Sequence, residues 1–257
     1  MPDVIIVVPC HNEAERLPAD RFVEFAAREP SIHFLFVNDG STDSTPELLR
    51  KLASRDPDRL RVLDLPRNCG KAEAVRMGMR AAFDRNPSYA GYWDADLATP
   101  LDAIPSFAEL LGERPDLEMV FGSRVKLMGR SIERSAWRHY PGRVLATLSS
   151  LTLGLAIYDT QCGAKLFRSS PEIAALFAEP FDANWLFDVE LLARFIRARR
   201  GSGRPQPKDT IYEFALHEWK DVPGSKIRPW DFFVALVELA RIHRRTLRGA
   251  GDERRAH

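Results

Sequence analysis

Short apolar runs that alternate with helical periodicities constrain the fold of this chain more than any other feature. The first run, residues 4–8, contains only valine and isoleucine and stops at Pro9. The strands predicted in the first half are 4–8, 33–37, 60–65, 89–93 and 118–123, and the helices are 13–28, 45–54, 71–84 and 101–111. This alternation predicts an α/β fold with a mostly parallel sheet flanked by helices.

The pattern changes after residue 123. Basic residues dominate 124–143, where the only acid is Glu133. The segments that follow are an apolar helix at 144–157, residues 158–167 without an assigned element, helices at 174–177 and 188–200, a loop at 199–208, a strand at 210–217 and an amphipathic helix at 230–245. The tail 248–257 is expected to be disordered.

Composition narrows the class of protein. With 257 residues and a formal net charge of +1, the chain has room for a sizeable core and no overall charge that favours nucleic acid. The three cysteines, Cys10, Cys69 and Cys162, are far apart and form no CxxC pair, which is typical of the cytosol. We expect no signal peptide and no membrane span, because no basic segment precedes 4–8 and no apolar window reaches about 20 residues.

Polar clusters follow three of the predicted strands. Residues 11–13 (His-Asn-Glu) follow the first strand, 38–39 (Asn-Asp) the second, and 94–96 (Asp-Ala-Asp) the fourth. Ligands of open parallel sheets bind beyond the carboxyl ends of the strands. The sequence therefore predicts that acids and amides converge at one edge of the sheet.

Asp94 and Asp96 are the central candidates at this edge. Two carboxylates one residue apart repel each other unless a cation lies between them. Oxygen ligands on a turn suit Mg²⁺ or Mn²⁺, which can link a carboxylate to a diphosphate. Taken alone, the pair is as easily a chance feature of a strand end. Lys71, which opens a predicted helix, adds a cation that can face phosphate together with backbone N–H groups.

The order and spacing of these segments resemble the family 2 glycosyltransferases. The matching motifs are P-x-x-N-E from Pro9, V-x-D-G-S-x-D-x-T from Val37, N-x-G-K from Asn68, and D-A-D from Asp94. The resemblance implies a GT-A (Rossmann-like) fold, a nucleotide-sugar donor, Mg²⁺ or Mn²⁺, and inversion at the anomeric carbon. It also implies a nucleotide site lined by Pro9, Asn12, Glu13 and Asp39, with Asp94 near uridine, ribose or sugar hydroxyls and Asp96 as metal ligand.

The second half is similar to the dolichyl-phosphate glucosyltransferases and, less closely, to the mannose synthases. The segments that carry this similarity are 122–124, 159–167, 185–192 and 224–226. The resemblance covers roughly residues 4–230 and implies UDP-glucose as donor and a polyprenyl phosphate as acceptor. We accordingly predict a glycosyltransferase domain at 1–230, with a nucleotide-sugar half (1–123) and an acceptor half (124–230), followed by C-terminal acceptor-side helices that end with an amphipathic helix at 231–247.

A phosphate acceptor requires cations. Arg124, Arg138 and Lys226 are the predicted acceptor-phosphate residues, with Arg130 and Arg134 as further candidates. The apolar helices at 144–157 and 230–245 can either lie on a membrane surface or pack against the domain. Because the similar glucosyltransferases carry a membrane-spanning segment, we expect either a peripheral enzyme on the cytoplasmic membrane face or a soluble acceptor.

Asp188 is the candidate for acid–base chemistry. A phosphate acceptor is already anionic, so Asp188 or Glu190 would then only orient or balance the arginines. A hydroxyl acceptor would need one of them to take its proton. The alternative for Asp188 is an acid that stabilises a helix N-terminus.

Other classes fit the motifs less well. A nucleotidyltransferase or a dinucleotide-dependent oxidoreductase should carry a glycine-rich loop where residues 9–13 stand. A non-catalytic nucleotide-sugar-binding relative would be expected to lack Asp39, Asp94 and Asp96. Transfer to a soluble or saccharide hydroxyl remains the second hypothesis. The residues do not distinguish one hexose from another, and they leave the oligomeric state open.

Overall fold

The computed structural model describes the backbone of residues 3–133, 136–221 and 229–248, and the side chains of 3–133, 142–221 and 232–246. Arg134, Lys226 and the tail from residue 249 lie outside the described residues. So does the side chain of Arg138. The predictions made for these positions therefore stay predictions.

A seven-stranded sheet forms the centre of the described part of the chain. Its strands are β1 (Val4–Cys10), β2 (Ile32–Asp39), β3 (Leu60–Leu65), β4 (Tyr89–Trp93), β5 (Met119–Ser123), β7 (Ala164–Arg168) and β8 (Ile211–Ala215). They are ordered β3-β2-β1-β4-β7-β5-β8, and β7 runs antiparallel to both neighbours. A small second sheet pairs β6 (Ser131–Glu133) with β9 (Glu218–Lys220).

Helices cover both faces of the large sheet. They are α1 (Ala19–Arg28), α2 (Thr45–Arg55), α3 (Lys71–Phe83), α4 (Ala103–Glu113), α5 (Ala136–Leu153), α6 (Pro171–Ala175), α7 (Phe187–Arg199), α8 (Pro207–Thr210) and α9 (Pro229–Ile242), which continues as a π-helix over His243–Arg248. Because β1 and β4 lie inside the sheet with helices on both faces, they are buried almost throughout, whereas the edge strand β3 is only partly buried.

The alternation of side chains along β1 separates two cores. Val4, Ile6 and Val8 pack with α1, α2 and α4, whereas Ile5 and Val7 pack with the side chains of α3 and α7 on the opposite face. The predicted α/β fold with a mostly parallel, helix-flanked sheet is therefore confirmed.

The second half completes the sheet begun by the first. β7 inserts between β4 and β5, and β8 extends the edge beside β5. The boundary predicted at residues 123/124 therefore does not separate two independent sheets. β7 pairs along its length with β4, the strand that directly precedes Asp94.

Several element boundaries differ from the sequence expectation. The first helix begins at Ala19, not at residue 13, because Glu13 O accepts the N–H groups of Arg16 and Leu17 in a turn and Pro18 then starts the helix. The apolar helix spans Ala136–Leu153 and ends before Gly154, whose φ is +65°. Within 158–167, to which the sequence analysis assigns no element, residues 158–163 form a loop and β7 begins at Ala164.

Helix α9 packs on the domain through one side only. Ala235, Leu239 and Ile242 are buried in the core that also contains residues of α5 and α7. Phe233 and Val237 remain exposed. The packing of this segment against the domain is therefore observed for one face of the helix, and a membrane role for the exposed face stays a prediction.

Candidate active site

A cleft lies at the carboxyl ends of β1, β2 and β4. Its walls are formed by Pro9, Cys10, His11, Glu13, Arg16, Asp39, Lys71, Ala74, Asp94, Ala95 and Asp96. All the predicted donor-binding residues except Asn12 are among them. The convergence follows from topology, since three neighbouring parallel strands point their carboxyl ends at the same edge.

Asn12 does not line the cleft but fixes the backbone of the segment that does. Its φ of 53° places it in the left-handed region, which asparagine tolerates better than most residues. Its backbone N–H donates to Ser41 Oγ (3.1 Å), and its Oδ1 accepts from the Thr42 N–H (2.9 Å). The P-x-x-N-E segment is therefore held against the loop that follows β2, which points Glu13 toward the cleft.

Asp39 organises the segment that precedes α3. Its carboxylate is 2% exposed and accepts the backbone N–H groups of Cys69 (2.7 Å) and Gly70 (2.8 Å). These two N–H groups are engaged by Asp39, so the expected phosphate contact at this helix N-terminus would have to use Lys71 and other backbone N–H groups. Gly40 permits the close approach of the two loops, because a Cβ there would lie 2.3 Å from the backbone of Arg67.

Lys71 stands at the first position of α3 and contacts the first aspartate of the D-A-D motif. Its Nζ lies 2.5 Å from Asp94 Oδ1, and both side chains are partly exposed in the cleft. Burial lowers the pKa of the Lys71 ammonium, but neighbouring carboxylates, Asp94 first and then Asp188, outweigh burial and raise it. The lysine is therefore a permanent cation at the cleft wall.

Asp96 meets an arginine that the sequence analysis did not single out. Arg16 Nη2 lies 3.4 Å from Asp96 Oδ2, and the other carboxylate oxygen accepts the Ala98 N–H at 3.1 Å. Burial and the neighbouring charge of Asp94 raise the pKa of the Asp96 carboxyl. Arg16 lies three residues after Glu13 in a hydrogen-bonded turn, and this spacing was the available signal for its place in the cleft.

The acids of this edge do not form a complete protein cage for a metal. Among the described residues, no three His, Cys, Asp or Glu side chains are grouped so that they could hold an ion. Magnesium-type ions, however, commonly use one or two carboxylates and take their remaining ligands from water and substrate phosphates. Asp94 and Asp96 fit such a two-carboxylate site, open on the side where the cleft would receive a diphosphate.

Asp188 does not face the cleft, contrary to expectation. It lies in the first turn of α7, is 5% exposed, and is absent from the cleft walls. Its Oδ1 accepts a hydrogen bond from the Tyr92 hydroxyl and lies 2.9 Å from Lys165 Nζ. A carboxylate enclosed in this way is not placed to take a proton from an acceptor in the cleft.

Glu190 is also committed elsewhere. It accepts the Ala183 N–H at 2.8 Å and pairs with Arg194 at 2.7 Å along the same helix. Its described partners are therefore the loop before α7 and Arg194, and its expected balancing of the arginines in 124–143 stays a prediction. Its role in this structure is to fix the loop that leads into α7.

Arg124 is already paired within the protein. Its Nε and Nη2 donate to the two carboxylate oxygens of Asp159 at 2.6 and 2.7 Å. Its guanidinium also lies over the Trp219 ring. A phosphate contact by Arg124 would have to use its remaining N–H groups, since this bidentate pair occupies one edge of the guanidinium.

The structure describes the other predicted acceptor residues to different extents. Arg130 is half-buried, and its Nη1 has no hydrogen-bond partner among the described residues. The structure describes the backbone of Arg138, which is part of α5, but not its side chain. Lys226 lies among residues 222–228, which are outside the described part of the chain. The structure thus leaves the acceptor-phosphate set as a prediction.

Both ring nitrogens of His11 are engaged by neighbouring groups, which fix the orientation of the ring. Its Nδ1 lies 2.8 Å from the Asp39 carbonyl, and its Nε2 lies 2.9 Å from Asn68 Nδ2. These contacts fit the neutral tautomer with the proton on Nδ1, which donates to the carbonyl. Cys162, also near the cleft, has a thiol whose pKa is raised to about 11 by burial, which makes it inert.

The comparisons with known proteins define the class to which this site belongs. Residues 5–173 match the model of the family described as Glycosyl transferase family 2. The chain belongs to this family and is a glycosyltransferase. Its architecture is the GT-A fold.

Particular relatives extend the similarity along nearly the whole chain. The chain is 33% identical to the dolichyl-phosphate beta-glucosyltransferase of Drosophila melanogaster, over 96% of this chain and 76% of the relative. It is 31% identical to the polyprenol monophosphomannose synthase of Mycolicibacterium smegmatis, over 90% and 85%.

Among solved structures, the chain resembles glucosyl-3-phosphoglycerate synthase from Mycobacterium tuberculosis in complex with Mn²⁺, UDP-glucose and phosphoglyceric acid. The TM-score is 0.66 at 16% identity, over 94% of this chain and 80% of that one. At this identity the likeness concerns the fold alone. Among the residues that the structure describes, no helix combines the length and the apolar character that crossing a bilayer requires.

Proposed function

We propose that this glycosyltransferase moves a hexose, with UDP-glucose as donor, to a polyprenyl phosphate, and that the anomeric carbon is inverted. The observation that carries the proposal is the cleft in which Lys71, Asp94 and Asp96 converge at the strand ends. A nucleotide-sugar needs such a combination, because its diphosphate requires positive charge and its sugar hydroxyls require hydrogen-bond acceptors.

The acceptor is inferred from the relatives. The two described above act, by their names, on dolichyl phosphate and polyprenol monophosphate, and each aligns with at least 90% of this chain. The buried position of Asp188 supports a phosphate acceptor. A phosphate oxygen is anionic at neutral pH and attacks without losing a proton to a base, whereas a hydroxyl needs one.

A divalent cation is part of the proposal. Asp96, with Asp94 beside it, would hold Mn²⁺ or Mg²⁺ against the donor diphosphate. A cation bound there neutralises the negative charge that develops on the departing nucleoside diphosphate. Lys71, in contact with Asp94, supplies a second positive charge in the cleft, and Arg16, now paired with Asp96, has donors that can turn to a phosphate oxygen.

We also propose that the enzyme touches the membrane that carries its acceptor. Phe233, Val234 and Val237 are exposed on α9, and exposed arginines follow at 241, 244 and 245. Val144 and Leu151 are exposed on the neighbouring α5. An apolar helix face flanked by cations suits the boundary between acyl chains and anionic headgroups.

The test is a transfer assay with purified protein, Mn²⁺ or Mg²⁺, and radiolabelled UDP-glucose, with and without a short-chain polyprenyl phosphate. We expect label in the organic phase only when the lipid is present. UDP-glucose binding without lipid transfer would move the acceptor to soluble or saccharide hydroxyls. No binding of UDP-glucose would contradict the donor assignment, and GDP-mannose would then be the donor to test.

A further inference from the structure

A buried ionic cluster lies beneath the floor of the cleft, and the proposed reaction does not use it. Lys165, on β7, is 0% exposed. Its Nζ contacts Asp188 Oδ1 at 2.9 Å and donates to the carbonyls of Thr160 at 3.1 Å and Cys162 at 2.6 Å. An ammonium has three N–H donors, and these three contacts account for all of them.

Such a cluster is a poor way to gain stability. Removing two charges from water costs several kcal/mol per ion, and well-packed hydrophobic residues often replace a buried pair without loss. The cluster is therefore better explained by the backbone that it holds in place. Two of the three contacts made by Lys165 are to backbone carbonyls of the loop 158–163, so the cluster fixes the path of that loop.

The loop ends directly against the D-A-D motif. The Asp94 N–H donates to the Gly163 carbonyl at 3.0 Å. A Cβ on Gly163 would lie 1.9 Å from Asp94 Oδ2, so the Asp94 carboxylate rests on the bare backbone of this glycine. Any shift of the loop must therefore move the Asp94 carboxylate, and with it the contact to Lys71.

We propose that Lys165 is a positioning residue for the donor site. Its ammonium, anchored by Asp188 and Tyr92, holds the carbonyls of Thr160 and Cys162 and thereby sets Gly163 under Asp94. The buried Asp188 acts through Lys165 and not as a base. This inference rests on the proposed function in one respect, namely that the cleft binds a nucleotide-sugar.

The competing role for Lys165 is that of a counter-ion for Asp188, and a double variant separates the two. Lys165→Met alone leaves a buried carboxylate without its cation, so it should lower stability whichever role is correct. Lys165→Met with Asp188→Asn removes both charges. The double variant should recover thermal stability relative to Lys165→Met, yet it cannot restore the contacts to the two carbonyls.

Calorimetry with UDP-glucose and Mn²⁺, and steady-state kinetics, provide the first readout. We expect the double variant to bind UDP-glucose on the order of tenfold to a hundredfold more weakly, with little change in the KM for the lipid acceptor. Recovery of both stability and donor affinity would overturn the proposal. Lys208→Met, at an exposed lysine of α8, is the matched control and should match the wild-type protein in both measurements.

Gly163→Ala tests the same proposal without touching a charge. The new methyl group must displace the Asp94 carboxylate, so donor affinity should fall as in the double variant. Gly112→Ala is its control, because a Cβ there would meet only the Tyr89 hydroxyl, at 3.9 Å. Unchanged donor affinity in Gly163→Ala would overturn the proposal even if Lys165→Met failed to fold.

Hydrogen exchange at the Asp94 amide provides a readout that needs no donor. This N–H donates to Gly163 O, so its protection should fall in the Lys165→Met/Asp188→Asn variant and persist in Lys208→Met. Full protection in the double variant would contradict the positioning role. If the wild-type protein bound no UDP-glucose while the exchange result held, the proposed donor would be wrong and the positioning of Asp94 would stand.

Discussion

The two halves of the chain use the same charged residue types in opposite ways. In the first half, Lys71, Asp94 and Asp96 remain partly exposed around one cleft. In the second half, charged side chains are turned inward and matched to each other. The pairs there are Arg124 with Asp159, Lys165 with Asp188, and Arg194 with Glu190.

The difference indicates where a charged residue in this fold is available to a ligand. Residues at the carboxyl ends of parallel strands are available to a ligand because the chain leaves the sheet there. Residues of the second half occupy loops and helix starts that must be held against the sheet, and their charges satisfy backbone groups or one another. An exposed charged residue at a strand end of the first half is therefore a ligand candidate, whereas a buried one such as Asp39, and most of those paired in the second half, are structural.

The largest expected effect comes from Asp96→Asn. Turnover in the transfer assay should fall on the order of 10²- to 10³-fold, because a group that stabilises developing charge is lost. The free energy of unfolding should stay nearly constant, because burial already disfavours the Asp96 carboxylate and raises its pKa. Asp58→Asn, at an exposed acid, is the control. Retained turnover in Asp96→Asn would remove the distinction between the halves.

Asp39→Asn should affect both stability and donor binding. The amide can accept only one of the two N–H groups that the carboxylate now accepts, so we expect a loss of about 1–3 kcal/mol in the free energy of unfolding. Urea unfolding and UDP calorimetry measure the two effects. A loss of stability with full UDP affinity would show that the segment before α3 does not shape the donor site.

Glu238→Gln is the corresponding change in the second half. Glu238 lies on α9, is buried, and accepts the N–H groups of Asn184, Trp185 and Leu186 at the start of α7. We expect a similar loss of about 1–3 kcal/mol in urea unfolding, with UDP affinity retained. Glu218→Gln, on the exposed β9, should change neither quantity. Weaker UDP binding in Glu238→Gln would mean that the second half supports the donor site more widely than through Lys165.

The smallest effect on stability is expected from Val237→Ser on the exposed face of α9. The free energy of unfolding should change by no more than about 0.5 kcal/mol, as for most surface positions. Binding to vesicles that contain anionic lipid should nevertheless weaken, measured by sedimentation. Unchanged vesicle binding would favour packing against another surface as the role of this face.

The sequence was informative where local pattern decides structure. The buried run at 4–8 and the polar residues after it predict both a strand and the site at its end, because strand topology alone brings Glu13, Asp39 and Asp94 together. Local pattern misplaced Asp188, which lies in the first turn of α7 and was expected to face the cleft. Its partners, Tyr92 and Lys165, are more than 20 residues away in sequence, and spacing does not reveal such pairs.

Arg124 shows the same limit. A cluster of arginines predicts phosphate binding, but the bidentate partner Asp159 lies 35 residues further along the chain. Arg16 shows the opposite case, since its position three residues after Glu13 was readable and only its contact with Asp96 required the fold. Long-range ion pairs are the part of this site that the sequence could not specify.

The most direct test of the account is the location of manganese in crystals grown with UDP and Mn²⁺, found from its anomalous scattering. The account predicts one manganese peak in the cleft, bound by the Asp96 carboxylate and by the diphosphate of UDP, with Lys71 in the same cleft. A nucleotide bound outside this cleft, or manganese that does not contact Asp96, would contradict it.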